Sequence, residues 1–215
     1  MKRFLFISFI LISFVGCLSS PNFQTANPVE KGSSRLYTGI TLQGLQFIES
    51  KKDDLDEKII KENIEKKTLA GFVLGYRYGL GLNWDVGLEL SLPGRLYFEG
   101  KYLIFSQNRH NLSVGTGLGG MIYPLKDEKH QLLSFFLPVY YSYNLNENMS
   151  MTTSIRYRRQ EVVTTSDVDG RNYQLSHIWT ASFGVQVKRF HIEASLSTVE
   201  KDLNIWTFGV GYDFF

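Results

Sequence analysis

The sequence predicts an all-β fold: about ten amphipathic strands closed into an up-and-down antiparallel barrel that crosses a membrane. Three observations predict it. Apolar and polar residues alternate at a period of two over nearly the whole body of the chain, the signal of strands and not of helices. The alternating runs extend over about 10 to 13 residues; a tilted strand needs roughly 9 to 11 to cross hydrocarbon, and soluble strands average about 5 to 6. The face opposite the apolar one carries Gly, Ser, Thr and charged residues in nearly every run, as a lumen-facing side would.

Composition agrees. The chain has 215 residues and a net charge of +2, enough for one domain and too balanced for a nucleic-acid surface. Aromatics reach 14%, Gly 19 and Pro only 5, which suits strands joined by tight turns. No apolar run is long enough for a membrane-spanning helix.

In chain order, residues 1–16 read as a signal peptide. Lys2 and Arg3 precede the apolar run Phe4 to Val15, long enough for an export signal and too short to span a bilayer. The run ends in Phe14-Val15-Gly16-Cys17. This resembles the lipobox of bacterial lipoproteins, with Phe14 where Leu is usual. The resemblance implies acylation of Cys17, the chain's single cysteine. The alternative is ordinary cleavage near Ser19, with Cys17 removed. Residues 17–34 lack periodicity and are rich in Ser, Asn, Pro and Gly, so they read as a flexible tether, lipidated if Cys17 is acylated. Residues 35–215 form the barrel domain.

The strands follow. Leu36 to Phe47 is the first. Ala70, Phe72, Leu74, Tyr76, Tyr78 and Leu80 then oppose Gly71, Gly75, Arg77 and Gly79. Trp84, Val86, Leu88, Leu90 and Leu92 oppose Asp85, Gly87, Glu89 and Ser91. Leu96, Phe98, Tyr102 and Ile104 oppose Tyr97, Glu99 and Lys101. Leu112, Val114, Thr116, Leu118 and Ile122 face away from Ser113, Gly115, Gly117 and Gly119. Leu133 to Tyr143 supplies another apolar face at odd positions. Met149 to Tyr157 opposes Ser150, Thr152, Ser154, Arg156 and Arg158. Two strands from Trp179 to Leu196 and a last one with Trp206, Phe208, Val210, Tyr212 and Phe214 complete about ten. Eight remain possible if a hairpin at Pro93-Gly94 or Thr198 to Asp202 is misread. Short connections are expected at Leu80 to Leu82, Gln107 to His110, Asn144 to Asn148 and Lys188-Arg189. Longer polar ones are expected at Glu49 to Lys67, Leu125 to Gln131 and Val162 to Asn172. Lys51 to Lys67 has near-helical spacing of Leu55, Ile59, Ile60 and Ile64 and reads as a solvated helical loop.

The chain ends Thr207-Phe208-Gly209-Val210-Gly211-Tyr212-Asp213-Phe214-Phe215. Thr207, Gly209, Tyr212 and Phe214 resemble the C-terminal assembly signal of bacterial outer-membrane β-barrel proteins, with Phe215 as one extra residue. That resemblance implies the outer membrane of a Gram-negative cell, recognition by the barrel-assembly machinery, and contact with outer-membrane lipid.

Candidate functional residues are few. Gly115 to Gly120 matches a dinucleotide-binding glycine spacing, but that motif needs a helix to follow and here lies within one alternating run. Ser176 and His177, with Asp167 and Asp169 nearby, could suggest a hydrolase; adjacent strand residues point to opposite faces and cannot pair. His110, His130 and His191 are scattered, so no metal site is expected, and neither is a cofactor. The best-defined polar set is inward-facing: Arg77, Glu89, Glu99, Lys101, Arg156 and Arg158. In a barrel of this size side chains fill the interior, so these charges should pair as an internal plug, or else line a narrow ion path. The expected function is a structural, surface-interaction or narrow porin-like outer-membrane protein and not an enzyme. The rivals are an outer-membrane enzyme acting on lipid or peptide, and a soluble lipocalin-like barrel with its apolar face turned inward around a ligand.

Overall fold

A computed structural model describes residues 23–47, 68–92, 94–125, 128–166, 170–199 and 203–214. Ten strands run in chain order: β1 (Ser34–Phe47), β2 (Thr68–Gly81), β3 (Trp84–Ser91), β4 (Arg95–Gln107), β5 (His110–Leu125), β6 (Glu128–Asn146), β7 (Met149–Ser166), β8 (Gly170–Val187), β9 (Phe190–Val199) and β10 (Leu203–Asp213). Each pairs antiparallel with the next, and β1 pairs with β10 from Tyr37↔Asp213 to Phe47↔Leu203, so the barrel is closed. The eight-stranded alternative falls away.

Alternation along each strand becomes inside and outside. Trp84, Leu88, Phe183 and Phe208 are 44%, 46%, 47% and 41% exposed on the outer surface, whereas a soluble ligand-binding barrel would carry them inside. Along β8 the unbroken outward apolar set spans Trp179 to Val187, with His177 next and Leu175 and Tyr173 beyond it, and along β7 it ends at Tyr157, with exposed Arg159 next on the same face. Eight residue steps at about 3.3 Å and a tilt near 40° give an apolar band roughly 20 Å tall, close to that of membrane barrels. Aromatic pairs gather near the end that holds both termini. They include Trp84 with Tyr102, 4.8 Å between centroids, Phe190 with Tyr212 at 5.1 Å, and Tyr212 with Phe214 at 5.4 Å. Such rings favour the water–hydrocarbon boundary.

At that end the turns are two residues long: Leu82-Asn83, Asn108-Arg109, Glu147-Asn148 and Lys188-Arg189. Leu82 and Asn83 have φ of 52° and 66°, the left-handed pair that a two-residue hairpin requires. The opposite end departs from expectation. Leu125 to Gln131 and Val162 to Asn172 were expected as polar loops, yet β5 runs to Leu125, β6 starts at Glu128, β7 runs to Ser166 and β8 starts at Gly170. These hairpins continue as paired strands past the apolar band. Outside hydrocarbon the outer face has no reason to be apolar, so the alternation that marks a strand fades while its hydrogen-bonded ladder persists. The helical reading of Lys51 to Lys67 lies outside the described residues.

The inner face holds more than small and charged groups. Tyr37, Val73, Tyr97, Phe136, Tyr140, Ile178 and Ile205 are all buried there. Glycine makes room: a Cβ at Gly117 would fall on the Phe136 ring, which is why part of the Gly115 to Gly120 run sits opposite bulky residues. A midpoint charge on the outer face should be costly. Phe183→Arg is expected to lower folding stability in lipid vesicles by about 2–4 kcal/mol, while Gln131→Arg, beyond the band, should change it little; urea titration of vesicle-inserted protein measures both.

Candidate functional site

The barrel interior is the part of the molecule where polar chemistry concentrates. Arg77, Glu89, Glu99, Lys101, Arg156 and Arg158 are all buried inside, and the structure adds Asp85, Arg95, Glu193 and Asp213. Five buried cations therefore share the interior with five buried carboxylates. The local reason is simple: period-two alternation sends these residues inward from six different strands, and closure brings them within reach of one another.

Arg77 donates from Nε to Asp85 Oδ1 at 2.8 Å, and its Nη2 makes a second, shorter bond to the same oxygen. Its Nη1 reaches Glu99 Oε1 at 3.5 Å. Lys101 Nζ lies 3.3 Å from Asp85 Oδ2, so Asp85 joins two cations. Tyr37 Oη donates to Glu89 Oε2 at 2.8 Å, and Tyr140 Oη donates to both oxygens of Glu99 at 3.0 and 3.1 Å. Sequence reasoning placed Asp85 on the inward face without giving it this role; no pattern on β3 says which cation it will meet.

The largest departure is the N-terminal segment. Residues 17–34 were expected as a flexible tether; among the described ones, residues 23–29 instead enter the barrel and cross its interior, while exposed residues 30–33 lie at the rim, where Lys31 bridges to Gly79. Phe23, Gln24, Thr25 and Ala26 are buried. The lumen holds this segment mainly by its main chain. Phe23 N–H donates to Glu193 Oε2 at 3.0 Å, Ala26 N–H to Ser142 Oγ at 2.7 Å, and Val29 N–H to Asp85 Oδ2 at 2.9 Å. Lys101 Nζ donates to the carbonyls of Thr25 and Asn27 at 2.9 and 3.0 Å, Ser113 Oγ to that of Ala26, and Arg35 Nη2 to that of Phe23 at 3.0 Å. Gln24 Oε1 accepts from Arg77 Nη1 at 2.8 Å. The Phe23 ring packs with Tyr37 and Val73 in the space that a side chain at Gly39 would fill. A segment without periodicity reads as a tether because its partners lie far away in sequence, 170 residues in the case of Glu193.

Beyond this plug the interior closes a second time. Tyr97 and Phe136 meet edge to face at 5.6 Å. Arg95 and Arg158 lie 5.4 and 5.3 Å from the Tyr97 ring, Arg156 lies 5.3 Å from Phe136, and Arg95 Nη2 donates to Gln160 Oε1 at 3.1 Å. Apolar groups follow toward the far end: Met121 and Leu132 with Val162, then Ile178 and Ile205 with Leu69 and Val199. The cavity between the two layers, lined by Tyr37, Arg77, Glu89, Glu99 and Arg156 among others, measures about 10 Å³, room for roughly one water. Larger spaces of about 180 and 370 Å³ lie beside the plug at the end that holds the termini, lined by residues such as Asn27, Asn148, Glu30 and Arg189.

The other sequence candidates are dispersed. Ser176 is half-buried and His177 exposed, on opposite faces; His177 Nδ1 pairs with Tyr157 Oη at 2.7 Å on the outer surface. Asp167 and Asp169 lie outside the described residues, as does Cys17. His110 bonds Tyr141 outside at 2.6 Å, whereas His191 sits inside with Asp213 at 2.8 Å. No cluster of metal-ligating side chains occurs among the described residues. Thr207 and Gly209 face inward, and Tyr212 and Phe214 face outward at the terminal end.

Two substitutions probe the charge network and the plug. Asp85→Ala removes the carboxylate shared by the buried Arg77 and Lys101 and the acceptor of the Val29 N–H, and should cost about 3–5 kcal/mol in unfolding, read from thermal or urea melts in detergent. Phe23→Ala should weaken plug docking by about 3–5 kcal/mol while leaving the barrel melt nearly unchanged; hydrogen exchange at the Ala26 and Val29 amides should accelerate.

No protein-family model matches this chain, and no curated protein matches it. Solved structures resemble it in shape. Ail, the attachment invasion locus protein of Yersinia pestis, aligns with a TM-score of 0.39 and 14% identity over 86% of this chain and 99% of its own. An outer membrane channel from Pseudomonas putida F1 aligns at 0.45 and 8% identity, over 91% and 100%. The N-terminal β-barrel domain of Pseudomonas aeruginosa OprF aligns at 0.32 and 13%, over 85% and 100%. At such identities the roles of residues rest on this chain's own geometry.

Proposed function

We propose that this chain is a bacterial outer-membrane barrel with a sealed interior, acting as a structural or surface-interaction protein and neither as an open pore nor as an enzyme. One observation carries the reading: the interior is blocked in series, first by residues 23–29 held on lumen side chains, then by the Tyr97–Phe136 layer with its stacked arginines. A conducting path needs a continuous wet channel, and about 10 Å³ between the layers does not supply one. What the barrel does offer is its far end, where β6, β7 and β8 reach 19, 18 and 18 residues and rise past the apolar band.

Orientation follows from turn length. Barrels of this class keep short turns and termini on the periplasmic side and longer hairpins outside, so the projecting strands face the exterior. The export signal at residues 1–16 and the outward Tyr212 and Phe214 fit delivery to the barrel-assembly machinery. Acylation of Cys17 would place a lipid near the periplasmic mouth, with the plug as the connection between anchor and barrel.

Planar-bilayer recording tests the sealed interior. The full chain is expected to give no steady conductance steps over the usual voltage range. Reproducible unitary steps that scale with salt would overturn the reading in favour of a narrow porin.

A further inference from the structure

We propose that Phe23 is a latch on the closing seam of the barrel: docked from inside, it holds β1 against β10 near the end that carries both termini. The seam is weak there by its own composition. Gly39 faces Gly211 across it, and the next inward pair is Thr41↔Gly209. Among the described residues, Gly39↔Gly211 is the one place where glycine faces glycine across a ladder. Glycine in a strand loses more backbone freedom than other residues and leaves no side chain to pack. Two opposed glycines therefore leave the inner wall bare where the barrel closes.

The Phe23 ring covers that gap. A Cβ on Gly39 would overlap the ring, and one on Gly211 would lie 3.0 Å from its Cδ1. The ring also packs with Tyr37 of β1 and Val73 of β2 and meets His191 of β9 edge-on, 6.4 Å between centroids. The main chain of the same residue is tied on both sides of the seam. Its N–H donates to Glu193 Oε2 on β9 at 3.0 Å, and its C=O accepts from Arg35 Nη2 on β1 at 3.0 Å. Arg35 Nη2 also donates to Asp213 Oδ1 on β10 at 3.0 Å. The rest of the plug leans on the far wall: Ala26 on Ser142 of β6, Thr25 and Asn27 on Lys101 of β4, and Val29 on Asp85 of β3. Phe23 alone bears on the seam.

Docking and closure are coupled through this geometry. The Phe23 site is assembled from β1, β2, β9 and β10, so it exists only once the two ends of the sheet have met. A segment that docks on the closed form alone stabilises that form, as a ligand stabilises the one state it binds, and closure strengthens docking by the same factor. The seam is where such help counts most. Every other ladder joins strands consecutive in the chain, whereas β1 and β10 are its first and last strands, so their pairing closes the longest loop. It is also the one ladder that opens without parting strands next to each other in sequence, which makes it a natural place for local opening.

The latch does not depend on whether the interior conducts, and its test is hydrogen exchange of the full chain in detergent micelles. The measurement is made well below the melting temperature, where the segment is docked; heating undocks it before the barrel unfolds, so the melt is a separate readout. Phe23→Ala is expected to speed exchange at least tenfold at the seam amides within Tyr37–Thr41 and Gly209–Phe214. Amides within Met151–Ile155 of β7, away from the seam, should stay within about twofold of the parent. Phe23→Leu, which keeps an apolar side chain over the glycines, should retain most of the protection. Gly39→Ala supplies a change of sign. Alanine suits a strand better than glycine, yet here its Cβ displaces the ring, so seam exchange should quicken. In the Phe23→Ala background the ring is gone, and the same Gly39→Ala should leave exchange unchanged or slow it, a non-additivity that marks direct coupling. Unchanged seam exchange in Phe23→Ala overturns the proposal. So does equal acceleration in β7, or an equal effect of Gly39→Ala in both backgrounds.

Discussion

The pairing of β1 with β10 is the constraint from which the rest of the molecule follows. Hydrocarbon offers no partner to a backbone N–H or C=O, so a sheet can cross it only without edges. Closing the ladder from Tyr37↔Asp213 to Phe47↔Leu203 leaves side chains alone to meet the surroundings. Each strand must then turn its apolar residues outward, and every inward position falls into a narrow common space.

That space sets a second problem. Ten strands enclose an interior too small to be left wet and too polar to be left dry. The molecule fills it in two ways. Aromatic rings such as Phe136 and Tyr37 take up volume, with glycines opposite giving them room. Charges are matched: Asp85 bridges Arg77 and Lys101, and Tyr140 satisfies Glu99. The remaining polar capacity is turned toward the main chain of residues 23–29. A plug recognised through its backbone needs few particular side chains, which explains why its sequence looks unremarkable while its contacts are numerous.

The two ends of the barrel differ for the same physical reason. At the terminal end, two-residue turns and aromatic pairs mark where lipid meets water. At the far end β5 to β8 leave the membrane as paired strands. Once outside, backbone groups have water as an alternative partner, so an edge no longer has to be closed, and among the described residues β8 runs eight residues past its last partner on β9. Closure is enforced by hydrocarbon and relaxed beyond it.

Much of this could be read from residue order alone. Alternation from Leu36 to Phe214 called for strands, their length favoured a membrane over a soluble barrel, and Arg77, Glu89, Glu99, Lys101, Arg156 and Arg158 fell on the face away from the apolar one, because inward or outward is a local property of a two-residue repeat. Which charges meet is not local: Asp85 finds Lys101, and Phe23 finds Glu193, only because closure folds distant strands around one axis. The plug was invisible for that reason, since a segment without period shows its structure only through its partners. The projecting hairpins were misread for the complementary reason. Sequence alternation records a lipid–lumen boundary, and where that boundary ends, hydrogen bonding between neighbouring strands continues without leaving a mark on residue type.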